Sequence, residues 1–407
     1  MINKEKVLYI SYDGMTDPLG QSQVINYLIR LSKLGYKFDI LSFEKKEKYS
    51  NLGKQIKSLL DQNNIGWYPQ IFHTSPPIVS KIYDRAILYR VANKLQLKNK
   101  YDLIHCRSYT AAEIGLRFKN KFGTKFLFDM RGFWADEKAD GGGWDRKKWF
   151  WNKVYNFYKK KEKEFIVNAD HIISLTEAGK KEIENWSFYE SRIPITVIPC
   201  CADSENFALT SAEKKSKARA INNIDKNTFV LSYLGSLGAW YMIDEMLTFF
   251  KLLTEKIPNS LFFIVTNSSH DLILEKLGQH KLQESQVKII TVPFNEVAKN
   301  MYASDCSVSF IKPVYSKISS SPVKTGEILS MGIPLIANAI GDAEKLLTEN
   351  EVGILVKDFF TDTLTIAINK IDKLVQLDSV KIRESSKKIF SLKEGVKRYA
   401  NVYLQLL

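Results

Sequence analysis

Short apolar runs alternate with stretches of helical spacing along most of the chain. Runs at 7–11, 38–43 and 102–106 have the length of buried strands, and the apolar positions between the first two recur every three or four residues, as on one face of a helix. The same alternation resumes at residue 229 and continues to residue 356. Strands that alternate with helices predict the α/β class with parallel sheets.

The alternation is interrupted once, near the middle of the chain. An apolar strand and turn at 195–207 precede a polar, lysine-rich stretch at 210–226 that lacks any strand signal. We therefore predict domains at 1–200 and 201–389, and a separate C-terminal helix at 390–407. A length of 407 residues suits two or three domains.

Residues 319–338, S-S-S-P-V-K-T-G-E-I-L-S-M-G-I-P-L-I-A-N, predict a loop, a short helix and a buried strand. Ser321 is expected to cap the helix, with Pro322 in its first turn and Gly332 at its end. The N-terminus of such a helix suits a phosphate, because its first N–H groups point outward. Glu327 lies one turn further in, where its carboxylate could accept hydrogen bonds from the vicinal hydroxyls of a ribose. The alternative is an ordinary structural unit with a surface glutamate.

Other loops offer polar groups at predicted strand ends, where ligands collect in parallel α/β sheets. Gly235 and Ser236 follow the strand at 229–234 and present backbone N–H groups, while Trp240 could either stack on a sugar or pack in the core. The loop at 235–241 contains no Arg or Lys, so Lys324 is the candidate for the positive charge that a phosphate requires.

Two loops of the first half complete the set. The long loop after the first strand contains Gly20 and Gln21, but the G-x-G-x-x-G pattern of dinucleotide-binding folds is absent. The loop at 129–137 contains Asp129, Arg131 and further acidic residues. It either binds a ligand or forms a self-neutralising surface loop.

These segments resemble the retaining glycosyltransferases of family four, also called glycosyl transferases group 1. Ser321, Pro322, Lys324 and Glu327 match a Ser-Pro-x-Lys-x-x-Glu form of the family's donor motif, although Ser319 stands where many members have a first glutamate. The turn at 195–207 is similar to the family's interdomain turn.

The resemblance implies the GT-B fold, in which two Rossmann-like domains with parallel sheets face each other across a cleft. It implies that 1–200 binds the acceptor, that 201–389 binds the nucleotide sugar, and that 390–407 packs back on the first domain.

The implied reaction is retaining, metal-independent transfer of a hexose from a nucleoside diphosphate sugar to a hydroxyl of a glycan or lipid-linked acceptor. Members commonly serve bacterial-type cell-surface polysaccharide biosynthesis, with the nucleotide sugar as co-substrate and without a further cofactor.

The site residues implied by the motifs fall into two groups, and none is a metal ligand. The catalytic candidates are Asp129, Lys324 and Glu327. The substrate-binding candidates are Gly20, Gln21, Arg131, Gly235, Ser236, Trp240, Pro293, Ser320, Ser321 and Val323.

The net charge of +14 indicates a polyanionic partner. Residues 146–165, from Arg146 to Phe165, contain eight basic and two acidic residues interleaved with aromatic ones. This composition suits an anionic membrane surface, a nucleic acid, or a helix with its aromatic side chains in the core. We favour the membrane, because a lipid-linked acceptor would lie there, and expect no nucleic acid as a partner.

Two other function classes remain open: a nucleotide-sugar epimerase of the same fold, and a basic nucleic-acid-binding protein. The location expected from the sequence is cytoplasmic, peripheral on the inner face of the membrane. The four cysteines form no metal-binding or disulfide pattern, and neither a leader-like stretch at the N-terminus nor an apolar run of about 18 residues is visible.

Overall fold

Two parallel β-sheets organise the protein, whose computed structural model describes residues 5–407, with only the backbone described for Pro77. Residues 1–4, on which the expectation of no leader partly rests, lie outside the described residues. One sheet has seven strands in the order β3-β2-β1-β4-β5-β6-β7, and the other has six in the order β10-β9-β8-β11-β12-β13. Their strands pair in parallel throughout, which confirms the predicted α/β class and the two Rossmann-like halves. The placement of the halves across a cleft stays a prediction.

The chain divides into two compact units, one formed by the chain up to Pro199 together with Leu392–Leu407, the other by Cys200–Ser391. The strands of the first unit are β1 (Lys6–Ser11), β2 (Lys37–Glu44), β3 (Gly66–Ile71), β4 (Leu103–Arg107), β5 (Lys125–Asp129), β6 (His171–Ser174) and β7 (Ile195–Val197). Those of the second unit are β8 (Phe229–Leu234), β9 (Ser260–Val265), β10 (Val287–Ile290), β11 (Cys306–Ser309), β12 (Leu335–Asn338) and β13 (Gly353–Val356).

Helices connect successive strands, as parallel pairing requires. In the first unit they are α1 (Pro18–Gly20), α2 (Asn26–Ser32), α3 (Lys46–Gln62), α4 (Pro77–Asn99), α5 (Ser108–Phe122), α6 (Trp134–Asp140), α7 (Trp149–Asn168) and α8 (Glu177–Glu184). In the second they are α9 (Ala212–Ile221), α10 (Ile243–Lys256), α11 (His270–His280), α12 (Val297–Met301), α13 (Val323–Ser330), α14 (Ala343–Glu349), α15 (Thr361–Asn369), α16 (Ile371–Leu374) and α17 (Ser379–Phe390). The last helix, α18 (Leu392–Leu406), belongs to the first unit.

The apolar runs become the buried strands, and the helices cover them. β4 is buried at all five positions, and Phe250 of α10 stacks on Phe262 of β9 with 5.4 Å between ring centres. Cys106 and Cys306 lie buried in β4 and β11, as expected for small apolar residues.

The structure specifies two stretches of helical pattern. The stretch between β1 and β2 forms α1, then a π-helical turn at Gln21–Ile25, and then α2, which ends at Ser32. The basic aromatic helix starts at Trp149, so Arg146 lies before it. Among the described residues, no helix combines the length and hydropathy that a membrane span needs.

The α18 helix is held on the first unit by side-chain hydrogen bonds as well as by its apolar face. Arg398 donates to the Val197 carbonyl oxygen at 3.0 Å, while Tyr399 and Tyr403 are buried. Tyr399 reaches Asp129 at the end of β5, and Tyr403 reaches His105 of β4, as described below.

His171 of β6 gives the first unit a predictable dependence on pH. Its Nε2 pairs with the Thr196 hydroxyl at 2.8 Å, and its buried Nδ1 has no hydrogen-bond partner among residues 5–407. Burial lowers the imidazole pKa to about 4. An unfolded histidine titrates near ~6.5, so this stabilisation is complete above that pH and is lost as the pH falls toward 4. The free energy of unfolding should decrease by at most about 2 kcal/mol between pH 7 and pH 5 from this group.

We expect His171→Gln to flatten the pH dependence of unfolding between pH 7 and pH 5, followed by chemical denaturation. The control is His270→Gln, which changes a partly exposed histidine of the second unit. An equally steep pH dependence in His171→Gln and the control would contradict the assignment.

Candidate functional site

The predicted donor motif lies at the start of α13. The helix begins at Val323, and Pro322 occupies the position before its first turn. Ser321 does not cap the helix, as the sequence had suggested, because its Oγ accepts a hydrogen bond from the Cys200 amide at 3.3 Å. The side chain of Pro322 cannot accept a hydrogen bond either. The Thr325 amide donates to the Pro322 carbonyl oxygen at 3.1 Å, so within the described part of the chain the Val323 and Lys324 amides are the ones left to solvent or a ligand.

Glu327 lies on the buried side of α13, with 2% of its surface exposed, and is therefore not an ordinary surface glutamate. Lys324 Nζ donates to its Oε2 at 2.7 Å, which offsets the unfavourable burial of a carboxylate. The same ammonium lies 5.8 Å from the ring centre of Phe294, the residue after Pro293. The structure thus brings Lys324, Glu327 and the turn at Pro293 together in the second unit.

The back of α13 fixes the direction in which Glu327 points. A Cβ at Gly326 would lie 2.9 Å from Phe390 Cβ and 3.3 Å from Ala202 Cβ, so the helix packs too closely for any other residue there. At its C-terminal end, Arg383 donates to the carbonyl oxygens of Ser330 and Phe207. A cation at that end also complements the helix dipole.

The glycine loop after β8 is held by specific hydrogen bonds. Gly235 has φ of +148°, a conformation that disfavours residues with a side chain. Tyr233 donates to the Ser236 carbonyl oxygen at 2.9 Å, and the Leu237 amide donates to Ser268 Oγ at 2.7 Å. Gly235 and Ser236 therefore stand in an ordered loop at the carboxyl end of β8, where predicted.

Lys317 is a site residue that the sequence analysis missed. It lies in the turn Tyr315–Ser319, just before the motif, and only 6% of its surface is exposed. Its Nζ lies 3.7 Å from the ring centre of Trp240, close enough for a cation–π interaction. The contact joins the motif loop to the glycine loop, and nothing in the local sequence distinguishes Lys317 from a surface lysine.

The remaining motif residues lie beside these groups. Ser320, Ser321 and Val323 are each half-buried where the loop enters α13. Ser319, at the position of the missing first glutamate, is buried and donates to the Ser316 carbonyl oxygen at 3.0 Å.

In the first unit, Asp129 ends β5 inside a buried polar cluster. Its Oδ2 accepts hydrogen bonds from Tyr399 at 2.9 Å and from His105 Nε2 at 3.3 Å, and His105 Nδ1 pairs with Tyr403 at 2.7 Å. Arg131 lies 3.8 Å from the other oxygen, Oδ1, which has no hydrogen-bond partner in the described part of the chain.

Electrostatics keep Asp129 ionised. Burial opposes ionisation, but the charge of Arg131 and the hydrogen bond from His105 lower the Asp129 pKa to about 2. Burial lowers the pKa of His105, so a neutral imidazole donates from Nε2 and accepts from Tyr403.

The predicted roles of Asp129 and Arg131 toward a substrate stay predictions. The Asp129 side chain is wholly shielded from solvent, so in this conformation it supports Arg131 and His105 and does not reach a sugar hydroxyl. Arg131 has φ of +57°, an uncommon value for a residue with a side chain, and such values concentrate at functional loops.

Gly20 and Gln21 do not lie in a loop, as the sequence had suggested: Gly20 ends α1 and Gln21 begins the π-helical turn. The loop before them, residues 12–17, is organised by a second missed residue, Glu44. Its buried carboxylate accepts from the Met15 and Thr16 amides at 2.8 and 3.0 Å. A Cβ at Gly20 would lie 2.1 Å from the Gly14 carbonyl oxygen, so this position requires glycine for packing alone. Gln21 Nε2 donates to the Thr16 carbonyl oxygen at 3.3 Å, and its contact with a sugar stays a prediction. An acidic residue that ends an apolar strand was the signal that could have revealed Glu44.

Chemically, the second unit combines unused helix amides, a buried carboxylate and two lysines within one set of loops. Such a set can bind an anion together with a neighbouring diol, whereas the first unit offers a buried charge cluster and the ordered loop at 12–17.

Comparisons with known proteins agree with this division. Two family profiles match the chain: Glycosyltransferase Family 4 over residues 20–206 and Glycosyl transferases group 1 over residues 214–388. No curated protein sequence matches.

Several solved structures share the fold over nearly the whole chain. Sucrose-phosphate synthase from Thermosynechococcus elongatus aligns with a TM-score of 0.74 at 16% identity, covering 99% of both chains. Anabaena HepE, solved with UDP and glucose, aligns with a TM-score of 0.69 at 15% identity, covering 98% of this chain and 99% of its own. WaaG, a glycosyltransferase involved in lipopolysaccharide biosynthesis, aligns with a TM-score of 0.69 at 14% identity, covering 97% and 99%.

The two profiles cover consecutive stretches of the chain, and each stretch falls on one of the two parallel sheets. The chain therefore belongs to the group 1 glycosyl transferases of glycosyltransferase family 4, with the GT-B fold.

Proposed function

We propose that the protein transfers a hexose from a nucleoside diphosphate sugar to a hydroxyl of a glycan or lipid-linked acceptor, with retention of anomeric configuration and without a metal ion. The observation that carries the proposal is the ion pair between half-exposed Lys324, in the first turn of α13, and buried Glu327, next to a helix start that Pro322 does not cap. HepE, which shares the fold, has been solved with UDP-glucose. Cell-surface polysaccharide assembly is the proposed setting, in keeping with the description of WaaG.

In this proposal Glu327 recognises the ribose. An ionised carboxylate accepts hydrogen bonds at both oxygens, and Oε2 is already engaged by Lys324. The two vicinal hydroxyls of a ribose would donate to the same carboxylate, while Lys324 remains beside it to neutralise charge. The base would lie near Pro293.

The diphosphate would lie on the first amides of α13, next to Ser320, Ser321 and Val323. Helix N-termini favour anions, and a lysine adds a charge-assisted hydrogen bond. Lys317 is placed to supply the charge that the glycine loop at 235–241 lacks, because its ammonium already lies against Trp240 of that loop. Gly235 and Ser236 would approach the phosphates with their backbone.

In the proposed transfer step, every bond, electron pair and proton is accounted for without a metal ion. The bond between the sugar C1 and the β-phosphate oxygen breaks, and its electron pair goes to the phosphate. The acceptor oxygen bonds to C1 on the same face, and its proton passes to the departing phosphate oxygen. Lys317 and the α13 amides would stabilise the charge that develops on the leaving group.

The acceptor would be held by the first unit. The proposed contacts are Gly20 and Gln21, at the junction of α1 and the π-helical turn, and the left-handed Arg131, which Asp129 supports. Here Asp129 acts through Arg131, because its carboxylate is shielded from solvent.

Glu327→Ala should lose most of the thermal stabilisation that a nucleoside diphosphate gives the wild-type protein. A ligand at 100 times its Kd stabilises by about 2.7 kcal/mol, a shift that is easily detected. The measurement is a thermal-shift panel with UDP, GDP, ADP and their sugars. Glu349→Ala is the matched control, because Glu349 also pairs with a lysine, Lys345, but is exposed.

A Glu327→Ala protein that responds to every nucleotide as the wild type does would contradict the site. Incubation with the donor sugar alone tests the competing epimerase: an epimerised nucleotide sugar in the absence of acceptor would replace the transferase proposal.

Lys317→Met should weaken binding of UDP about 10- to 100-fold and that of uridine far less, because a hydrogen bond to a charged group contributes about 1.5–3 kcal/mol. Calorimetric titration of both ligands measures the difference. Lys312→Met changes an exposed lysine five residues earlier and is the control. Equal losses for UDP and uridine would assign Lys317 to loop structure instead of phosphate binding.

A further inference from the structure

The first two turns of α4 have their apolar side chains on the outside. Ile78, Val79, Ile82 and Tyr83 are each more than half exposed, whereas Ser80 and Asp84 point into the protein and are buried. Exposed apolar residues are common singly, but four on one helix face form a patch that marks an interaction surface.

A second exposed apolar row lies on α7. Trp149 is 70% exposed, and Phe150 and Phe157 are also exposed. Lys153 Nζ lies 4.1 Å from the ring centre of Trp149, and Lys161 Nζ lies 5.9 Å from that of Phe157. Phe150, Lys153 and Phe157 follow at helical spacing, so aromatic rings and ammonium groups alternate along one face.

The two rows form one surface. Arg85 lies one turn beyond Ile82 on the same face of α4, and its guanidinium carbon lies 6.0 Å from the ring centre of Phe157 on α7. Arg85 also pairs with Glu113 of α5, the helix between them in sequence. We call this composite of Ile78, Val79, Ile82, Tyr83, Trp149, Phe150 and Phe157 the α4–α7 surface.

The charge around the α4–α7 surface is strongly positive. α4 has five basic residues and one acidic residue, and residues 146–165 have eight and two, so together they carry ten of the chain's fourteen net positive charges. Two of the three acidic residues do not offset this at the surface: Asp84 is buried and accepts from Tyr12 at 2.7 Å, and Glu162 is buried beside Lys159. The third, Glu164, is partly exposed and pairs with Lys161 at 2.6 Å, which leaves the positive excess in place.

We propose that the α4–α7 surface docks the protein on a bilayer that contains anionic lipid, with the apolar residues of α4 entering the acyl boundary. Basic residues beside exposed aromatic and aliphatic ones are the combination that such an interface selects. A nucleic acid would suit the lysines and the aromatic rings, but it offers nothing to Ile78, Val79 and Ile82.

One hydrogen bond connects the α4–α7 surface to the segment that contains the proposed acceptor contacts. Asp84, on the inner face of the same α4 turns, accepts from Tyr12, the first residue of the loop at 12–17 that leads to Gly20. This hydrogen bond therefore links the proposed bilayer contact to the segment that contains the proposed acceptor contacts. The connection to acceptor binding rests on the proposed function, whereas the binding of lipid does not.

Sedimentation with vesicles tests the proposal on the full chain without any nucleotide. The wild type should bind vesicles of phosphatidylcholine with about one third phosphatidylglycerol, should bind phosphatidylcholine alone much more weakly, and should be released by salt. Ile78→Ser with Ile82→Ser, and separately Lys153→Glu with Lys161→Glu, should each weaken binding at least about tenfold.

Matched controls lie on the second unit. Ile221→Ser with Ile366→Ser changes two equally exposed isoleucines, and Lys299→Glu with Lys345→Glu changes two exposed lysines; both should bind within about twofold of the wild type. All variants should keep the wild-type unfolding temperature and UDP response, which separates loss of docking from loss of the donor site.

Binding to anionic vesicles that is unaffected by either α4–α7 double variant would overturn the proposal. So would absence of vesicle binding by the wild type, or tighter salt-sensitive binding to a single-stranded oligonucleotide that the same variants abolish.

Discussion

The pairing of Lys324 with Glu327 is the interaction on which the donor site depends. A carboxylate with 2% exposure is stable inside α13 only with a compensating charge, and Lys324 supplies it from one turn earlier. The packing of Gly326 on Phe390 and the hydrogen bonds from Arg383 then fix the position of α13 within the second unit. A side chain that is already fixed before the substrate arrives loses little conformational entropy on binding, and this is the physical advantage of a preorganised site.

The first unit follows the same principle with different residues. Asp129 is buried and ionised, and it is held by Tyr399 and His105 so that its charge acts on Arg131. Glu44 fixes the loop at 12–17, which leads to Gly20, because its buried carboxylate accepts hydrogen bonds from two consecutive backbone amides.

The sequence was sufficient for the features that depend on local pattern. Apolar runs of four to six residues became parallel strands, and the glycine at 332 ended α13 with φ of +75°. It was insufficient where partners distant in the chain decide the outcome. Ser321 is a good capping residue by type, yet Cys200, 121 positions away, supplies the donor that occupies its hydroxyl. Lys317 has the local sequence of a surface lysine, and only its contact with Trp240 distinguishes it. Likewise, Asp84 faces the interior because it binds Tyr12 and His73, and this leaves the apolar residues of the first turns of α4 exposed.

The central claim is that the start of α13 holds the diphosphate while Glu327 holds the ribose. Its most direct test is an experimental structure of the protein with bound UDP. The account predicts ribose hydroxyls within about 2.7–3.2 Å of the Glu327 carboxylate, and phosphate oxygens within hydrogen-bond reach of the Val323 or Lys324 amide and of Lys317 Nζ. A nucleotide bound elsewhere, or one whose phosphates contact neither α13 nor Lys317, would contradict it.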